Sequence, residues 1–254
     1  MHSDNHSHII LASIESMVDA ARKTDVSVYS ITEHISQFDF MRRRVKFSSV
    51  HESGRMFTSF DEYLGEFSKI KGDVADKVKV RRGLEVDYIE AYRSTIRDEL
   101  SKKDWDFLLC SVHELKGGVD VENPTLLQDA TSSRKRWEEY VTIQKAAIES
   151  GEAFIPFNVL THPVRLATST PKVPENFDDL LVDLARVARS RGKALELNGN
   201  DLARTPALVR RVAAACEEAG CKVSYGSDSH YPNQVSRNYK PALELVREFN
   251  LELI

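Results

Sequence analysis

The chain has 254 residues, of which 41% are hydrophobic and 29% charged, so it is long enough to form one sizeable α/β domain over residues 1–254. Its 35 basic and 39 acidic residues give a formal charge of −4, which argues against a nucleic-acid partner or a charged membrane surface. No apolar run is long enough to span a bilayer, no signal peptide is visible, and three cysteines do not suggest a disulfide framework, so we expect a cytoplasmic protein.

Short β-rich runs alternate with amphipathic helical patterns seven times along the chain. The predicted strands are 6–11, 26–32, 78–86, 105–112, 154–161, 193–199 and 222–227. The predicted helices are 13–23, 60–71, 88–102, 132–150, 177–191, 206–219 and 239–249. Repeated βα units predict a parallel sheet with right-handed crossovers, either open or closed into a barrel. The first strand is not followed by a Gly-rich phosphate loop, which disfavours a dinucleotide-binding fold.

Histidines and acidic residues recur where these strands end. His6 and His8 are two residues apart in the first predicted strand, so both side chains would point to one face. The remaining residues at strand ends are Glu33, His34, Glu85, His113, His162, Asp228 and His230. In a parallel βα barrel the carboxyl ends of all strands open on the same mouth, where such folds place their chemistry. The sequence therefore predicts that these side chains converge.

Such a mixed set of imidazoles and carboxylates suits zinc, iron or manganese, and it is large enough for more than one ion. Taken singly, a histidine at a strand end is more often a surface or hydrogen-bonded residue than a ligand. Glu85 stands in an apolar strand, where an unpaired carboxylate is costly to bury. A position between two metal ions would neutralise it; pairing with Arg81 or Arg82 is the alternative.

The motifs HSH, TEH, GLEVDY, SVHEL, THP and SDSH, in this order from residue 6 to residue 230, resemble those of the polymerase and histidinol phosphatase (PHP) superfamily. The resemblance implies a distorted, TIM-like (β/α)7 barrel, which agrees with the seven units read from the sequence. Together with ALELN, the motifs are most similar to those of histidinol-phosphate phosphatases. The implied function is a metal-dependent phosphomonoesterase with L-histidinol phosphate as its leading substrate. The alternatives are a phosphoesterase for nucleotides or another small phosphate ester, and a non-catalytic PHP module.

The same resemblance implies two or three divalent ions, which would be Zn, Mn or Fe. The first ion would be held by His6, His8, Glu85 and Asp228, the second by Glu85, His113 and His162, and the third by His34 and His230. Ile14 stands where the family commonly has a further histidine for the third ion. We therefore expect this ion to bind weakest, with Glu15 and His51 as candidates to complete its ligands.

We predict that four of these residues take part in catalysis: Glu85, Asp228, His230 and His34. A hydroxide held by the metals would attack phosphorus in line, and His230 or His34 would protonate the leaving oxygen if the third ion is absent. The candidates for binding the substrate are Arg165, Arg42, Arg43 and Asn198. Guanidinium groups suit phosphate, although the arginine run 42–44 is also typical of a solvated loop, and Asn198 could equally belong to ordinary barrel packing.

Overall fold

A computed structural model describes residues 2–50, 52–70, 78–123, 126 and 132–254. Its strands are β1 (Ser3–Asp4), β2 (Val28–His34), β3 (Lys79–Asp87), β4 (Phe107–Ser111), β5 (Glu114–Leu115), β6 (Val119–Asp120), β7 (Val159–Leu160), β8 (Ala194–Asn198) and β9 (Val223–Gly226). Within these residues, seven parallel strands form one sheet in the order β1-β2-β3-β4-β7-β8-β9, and β5 and β6 form a separate antiparallel hairpin.

The two edges of this order, β1 and β9, also meet and nearly close the sheet into a barrel. The Asn5 amide donates to the Tyr225 carbonyl at 3.0 Å, and the Asp228 amide donates to the His6 carbonyl at 2.8 Å. A parallel bridge joins Ser7 to Ser229. The predicted TIM-like (β/α)7 barrel is thus confirmed.

Helices surround the barrel and follow its strands. They are α1 (Ile14–Arg22), α2 (Asp39–Arg42), α3 (Phe60–Glu66), α4 (Arg93–Leu100), α5 (Ser133–Ser150), α6 (Phe177–Ser190), α7 (Gly199–Arg204), α8 (Pro206–Ala219) and α9 (Tyr239–Glu248). Local chemistry sets several ends: Ser13 accepts a hydrogen bond from the Ser16 amide at 3.2 Å to cap α1, and Gly220, in the left-handed region, ends α8. The seven predicted helices are present, whereas α2 and α7 were not predicted. None of the helices in the described ranges is long and apolar enough to cross a bilayer.

Two predicted strands differ from the structure. The first, expected at 6–11, lies instead at Ser3–Asp4, so His6 and His8 follow the strand; within the predicted range the Ile9 amide donates to the Glu33 carboxylate at 2.9 Å rather than to a neighbouring strand. The fifth is reduced to Val159–Leu160, and Pro156, which lacks a backbone donor, precedes it. Both corrections leave the histidines at the carboxyl end of the barrel.

Candidate metal centre

The carboxyl ends of the strands bring together eight side chains, six of which line a cavity of about 280 Å³ while His6 and His8 lie behind it. They are His6, His8, His34, Glu85, His113, His162, Asp228 and His230. All are buried except His230, whose side chain is 16% exposed. The side chains fall into three groups with donor atoms close enough to hold a metal ion: His6, His8 and Asp228; Glu85, His113 and His162; and His8, His34 and His230.

The first group, together with one oxygen of Glu85, has the spacing of a tetrahedral metal site. The Nε2 atoms of His6 and His8 lie 3.0 Å apart, and they lie 3.2 Å and 3.5 Å from Glu85 Oε2. Asp228 Oδ1 lies 3.6 Å from His8 Nε2 and 4.0 Å from His6 Nε2. Ligands at about 2.0–2.1 Å from a tetrahedral ion are separated by about 3.3 Å. The measured distances are close to the separation expected of donors that share one ion.

The second group uses the other oxygen of Glu85. Glu85 Oε1 lies 2.8 Å from His162 Nε2 and 3.3 Å from His113 Nε2. Each oxygen of the carboxylate thus faces a different group, which is the arrangement of a bridging ligand. The alternative partners lie elsewhere: Arg82 pairs with Asp106 at 2.9 Å, and the Arg81 guanidinium lies over the Phe107 ring.

The third group shares His8 with the first. The rings of His8 and His34 stack at 4.0 Å, and the ring of His230 lies 4.4 Å from that of His8. His8 Nδ1 faces Glu33 at 3.3 Å, so Nε2 is the nitrogen that His8 offers to a metal ion. The single lone pair of Nε2 can bind one ion at a time. The first and third groups therefore compete for His8.

Of the residues considered for the third site, Ile14 and Glu15 lie on helix α1. Ile14 is fully buried in the apolar core at the start of α1, and Glu15 is exposed on that helix. His51 lies outside the described residues. The expectation that Ile14 marks a missing ligand position is wrong in this geometry, because the side chain belongs to the core.

Carboxylates behind the imidazoles orient them. His6 Nδ1 lies 2.8 Å from Glu196 Oε1, and His113 Nδ1 lies 2.6 Å from Asp87 Oδ1. A proton held between Nδ1 and a carboxylate leaves the Nε2 lone pair free to bind a metal ion, as in many histidine metal sites. The side chains behind the candidate ligands thus select the tautomer that a cation requires.

The charge balance of the centre also favours cations. Burial alone would raise the pKa of Glu85, but the facing imidazoles of His34, His6 and His113 hold it well below its usual range. Burial, and then the Arg165 guanidinium, lower the pKa of His162 to about 3. Burial lowers the pKa of His6 and His113, but the facing carboxylates outweigh it and raise both well above the usual value. A metal ion bound at these nitrogens therefore displaces protons, and the mixed imidazole and carboxylate set suits a divalent ion such as zinc.

The backbone at two candidate ligands lies in the left-handed region, which is uncommon outside glycine. His162 has φ 31° and Asp228 has φ 52°. Around Asp228, Arg237 Nε donates to the Ser227 carbonyl at 2.7 Å, and the same guanidinium donates to the Asp228 carbonyl. Strained backbone of this kind persists where the surroundings fix it, and it is concentrated at functional sites.

The model of the family described as "PHP domain" matches residues 1–200, which contain the motifs HSH, TEH, GLEVDY, SVHEL and THP. The chain belongs to the PHP domain family.

Relatives of the PHP chain carry names that point to one activity. This chain is similar to the histidinol-phosphatase of Lactococcus lactis subsp. lactis, with 26% identity over 193 residues, which cover 74% of this chain and 71% of the relative. It is also similar to the protein named "Probable histidinol-phosphatase" in Clostridium acetobutylicum, with 24% identity over 98% of this chain and 94% of the relative. The crystal structure of the Lactococcus lactis histidinol phosphate phosphatase, complexed with zinc, L-histidinol and phosphate, shares the fold. It matches with a TM-score of 0.78 and 19% identity over 100% of this chain and 95% of that one.

Three arginines of the PHP chain line the cavity beside the metal groups: Arg165, Arg204 and Arg237. Arg165 is buried and donates to Asp201 Oδ1 at 2.8 Å and to Asp228 Oδ2 at 2.6 Å. Arg204 is half exposed and pairs with Glu122 at 3.3 Å. Arg204 and Arg237 were missed in the sequence, because Arg204 ends α7 and Arg237 lies just before α9, so neither stands at a strand end where the rule applied to the histidines looks.

Two of the predicted substrate-binding residues, Arg42 and Arg43, point away from the cavity of the PHP chain. The Arg42 guanidinium donates to the Ser36 carbonyl and to Gln37 Oε1, and the exposed Arg43 pairs with Asp39 on α2. Neither arginine is among the cavity-lining residues. The helix α2 holds both side chains in local contacts, which accounts for the difference from the expectation.

Asn198 also differs from the prediction that it orients substrate. It is buried at the end of β8, where its Oδ1 accepts the amides of Asn200 and Asp201 at 2.9 Å and 3.0 Å and caps α7. Its Nδ2 donates to Glu196 Oε2 at 3.0 Å. Glu196 and Asn198 therefore point to the same side of the strand, as residues i and i+2 must, and Asn198 supports the site from behind.

Proposed function

We propose that this chain is a metal-dependent phosphomonoesterase that hydrolyses L-histidinol phosphate to L-histidinol and phosphate in the cytoplasm. The observation that carries the proposal is the set of three metal-binding groups, two of which face the two oxygens of Glu85, beside a cavity lined by three arginines. The names of the relatives supply the substrate. A non-catalytic PHP module would have no need for a donor set of this completeness.

When bound, the ions would supply an activated water and neutralise charge on the phosphate oxygens. Glu85 would keep the first and second groups together through its two oxygens. Arg165 and Arg204, which line the cavity beside the metal groups, would orient the phosphate, since guanidinium groups match phosphate oxygens. His230, the most exposed of the eight candidate side chains, would donate a proton to the leaving oxygen when the third group holds no ion.

The proposal predicts that the zinc-loaded protein hydrolyses L-histidinol phosphate with a kcat/KM at least about tenfold higher than for nucleotide monophosphates or sugar phosphates. A panel of phosphomonoesters tests the substrate. Chelation should reduce turnover to the buffer rate, and added zinc should restore it. Unchanged turnover in a preparation shown to be metal-free by elemental analysis would refute the proposal, whereas preference for another ester would correct only the substrate.

The competition for His8 predicts two tightly bound ions and a weaker third that tightens when inorganic phosphate is present. Ile14→His should not strengthen the third ion, because the ring would enter the core and cost about 1–3 kcal/mol of unfolding free energy. Calorimetric metal titration and thermal unfolding measure the two effects. Glu15→His, at the exposed neighbouring position, is the control and should leave stability unchanged. Three sites of equal affinity without phosphate would contradict the assignment.

A further inference from the structure

Glu196 is a buried carboxylate in the middle of β8 that contacts both the first and the second metal group from behind. It is 2% exposed. Its Oε1 lies 2.8 Å from His6 Nδ1, and its Oε2 accepts the backbone amide of His162 at 2.8 Å. His6 belongs to the first group and His162 to the second, so one side chain reaches a candidate ligand of each.

The contact with His162 has a consequence for its ring. The backbone of this residue lies in the left-handed region at φ 31°, a conformation that needs support from its surroundings. The hydrogen bond to Glu196 Oε2 provides such support at the amide, and the ring then lies with Nε2 2.8 Å from Glu85 Oε1. A change at Glu196 would therefore move a donor of the second group without touching its ring.

The fold leaves room for the contact with His6. A Cβ added at Gly226, on the neighbouring strand β9, would lie 2.3 Å from His6 Cβ and 2.4 Å from Glu196 Oε1. Both distances are far shorter than real contacts allow. Glycine at position 226 is thus required for Glu196 and His6 to meet.

We propose that Glu196 is a positioning residue that orients His6 and His162 and so sets the affinity of both the first and the second metal ion. The inference rests on the metal centre of the proposed function. Asp87, by contrast, contacts the ring of His113 in the second group only. Asp87→Asn is therefore a matched control for a change at Glu196.

Glu196→Gln separates the two contacts. The His162 amide and Asn198 Nδ2 both donate to Oε2, so the glutamine oxygen should stay there and its NH2 group should face His6 Nδ1. Nδ1 must then accept, which places the proton of His6 on Nε2, toward Glu85, and removes the lone pair that would bind the first ion. We expect zinc affinity at the first site to fall about 10–100-fold while the second site is retained. Glu196→Ala should weaken both sites, and Asp87→Asn only the second.

Zinc binding to the metal-free wild type and variants, followed by calorimetry and by competition with a chromophoric chelator, tests the proposal. Circular dichroism checks that each variant folds. A wild type that binds no zinc would refute the proposed function. A wild type that binds two ions, with Glu196→Gln or Glu196→Ala binding both equally well, would overturn only the role of Glu196.

A second measurement needs no variant. In the zinc-loaded wild type, proton–nitrogen correlation spectra of labelled histidine should show His6 protonated at Nδ1 and bound to metal through Nε2. The opposite tautomer of His6 would overturn the proposal even if the variants failed to fold.

Discussion

Glu85→Gln should lower kcat by roughly 10²–10³-fold and weaken zinc binding at both the first and the second site. Removing one preorganised electrostatic group from an active site typically costs about 2.7–4 kcal/mol of activation free energy, which corresponds to this range of rates. The amide also places an NH2 group against imidazole nitrogens that lie 2.8–3.5 Å from the two carboxylate oxygens. Loss of the negative charge increases the repulsion between two cations held side by side.

Steady-state kinetics and elemental analysis of the purified variant measure this effect. Glu66→Gln is the matched control, because Glu66 is also a buried carboxylate but pairs with Arg55 and Lys69 far from the metal groups. It should lower stability without changing metal content or kcat. A Glu85→Gln protein with two tightly bound ions and the wild-type rate would show that Glu85 does not bridge them.

Much of the site could be predicted because barrel topology fixes where strand ends lie. Once seven βα units are recognised, residues as distant in sequence as His8 and His230 must face the same mouth, and their rings lie 4.4 Å apart. Side chains in the insertions follow no such rule. The direction of the Arg42 side chain depends on two acceptors, the Ser36 carbonyl and the side-chain oxygen of Gln37. The hydrophobic periodicity of the sequence does not encode such contacts.

The carboxylates behind the ligands were within reach of sequence reasoning. The cost of burying a charge, which singled out Glu85, applies equally to Glu33 in SITEH and Glu196 in ALELN. Both are buried, and both contact histidines of the first group. The sequence could not show which histidine each carboxylate contacts. That choice depends on how β2 and β8 are placed around the segment that follows β1.

Arg165→Ala should raise KM for the phosphate ester and also weaken the first metal ion. The sequence indicated Arg165 as a candidate for binding the substrate, and in the structure its guanidinium also holds Asp228, a candidate ligand, at 2.6 Å. Its loss leaves Asp201 and Asp228 buried without their cation, at a cost of about 3–5 kcal/mol in unfolding free energy. Thermal unfolding, zinc titration and Michaelis–Menten kinetics each measure one of these effects.

The stability loss of Arg165→Ala should grow as pH rises. Burial raises the pKa of Asp201 to about 6, although the Arg165 guanidinium lowers it. Without the arginine, the pKa of Asp201 should therefore be higher still. A carboxyl group whose pKa is higher in the folded than in the unfolded state binds its proton more tightly when folded, and it destabilises the fold as pH rises through that value. The difference in Tm between metal-free wild type and variant should therefore be larger at pH 8 than at pH 5. A difference independent of pH would mean that Asp201 stays ionised without Arg165.

Arg204→Ala separates binding of the phosphate from support of the metal site. Arg204 also lines the cavity, but it is half exposed and pairs with Glu122 at 3.3 Å, away from the metal-binding groups. Its loss should raise KM while leaving zinc affinity and Tm close to those of the wild type, because an exposed pair contributes about 0–1 kcal/mol to stability. If Arg165→Ala raised KM but left zinc affinity unchanged, as expected for Arg204→Ala, the contact between Arg165 and Asp228 would have no part in holding the ion. If the kinetics of Arg165→Ala equalled those of the wild type, Arg165 would not contact the substrate.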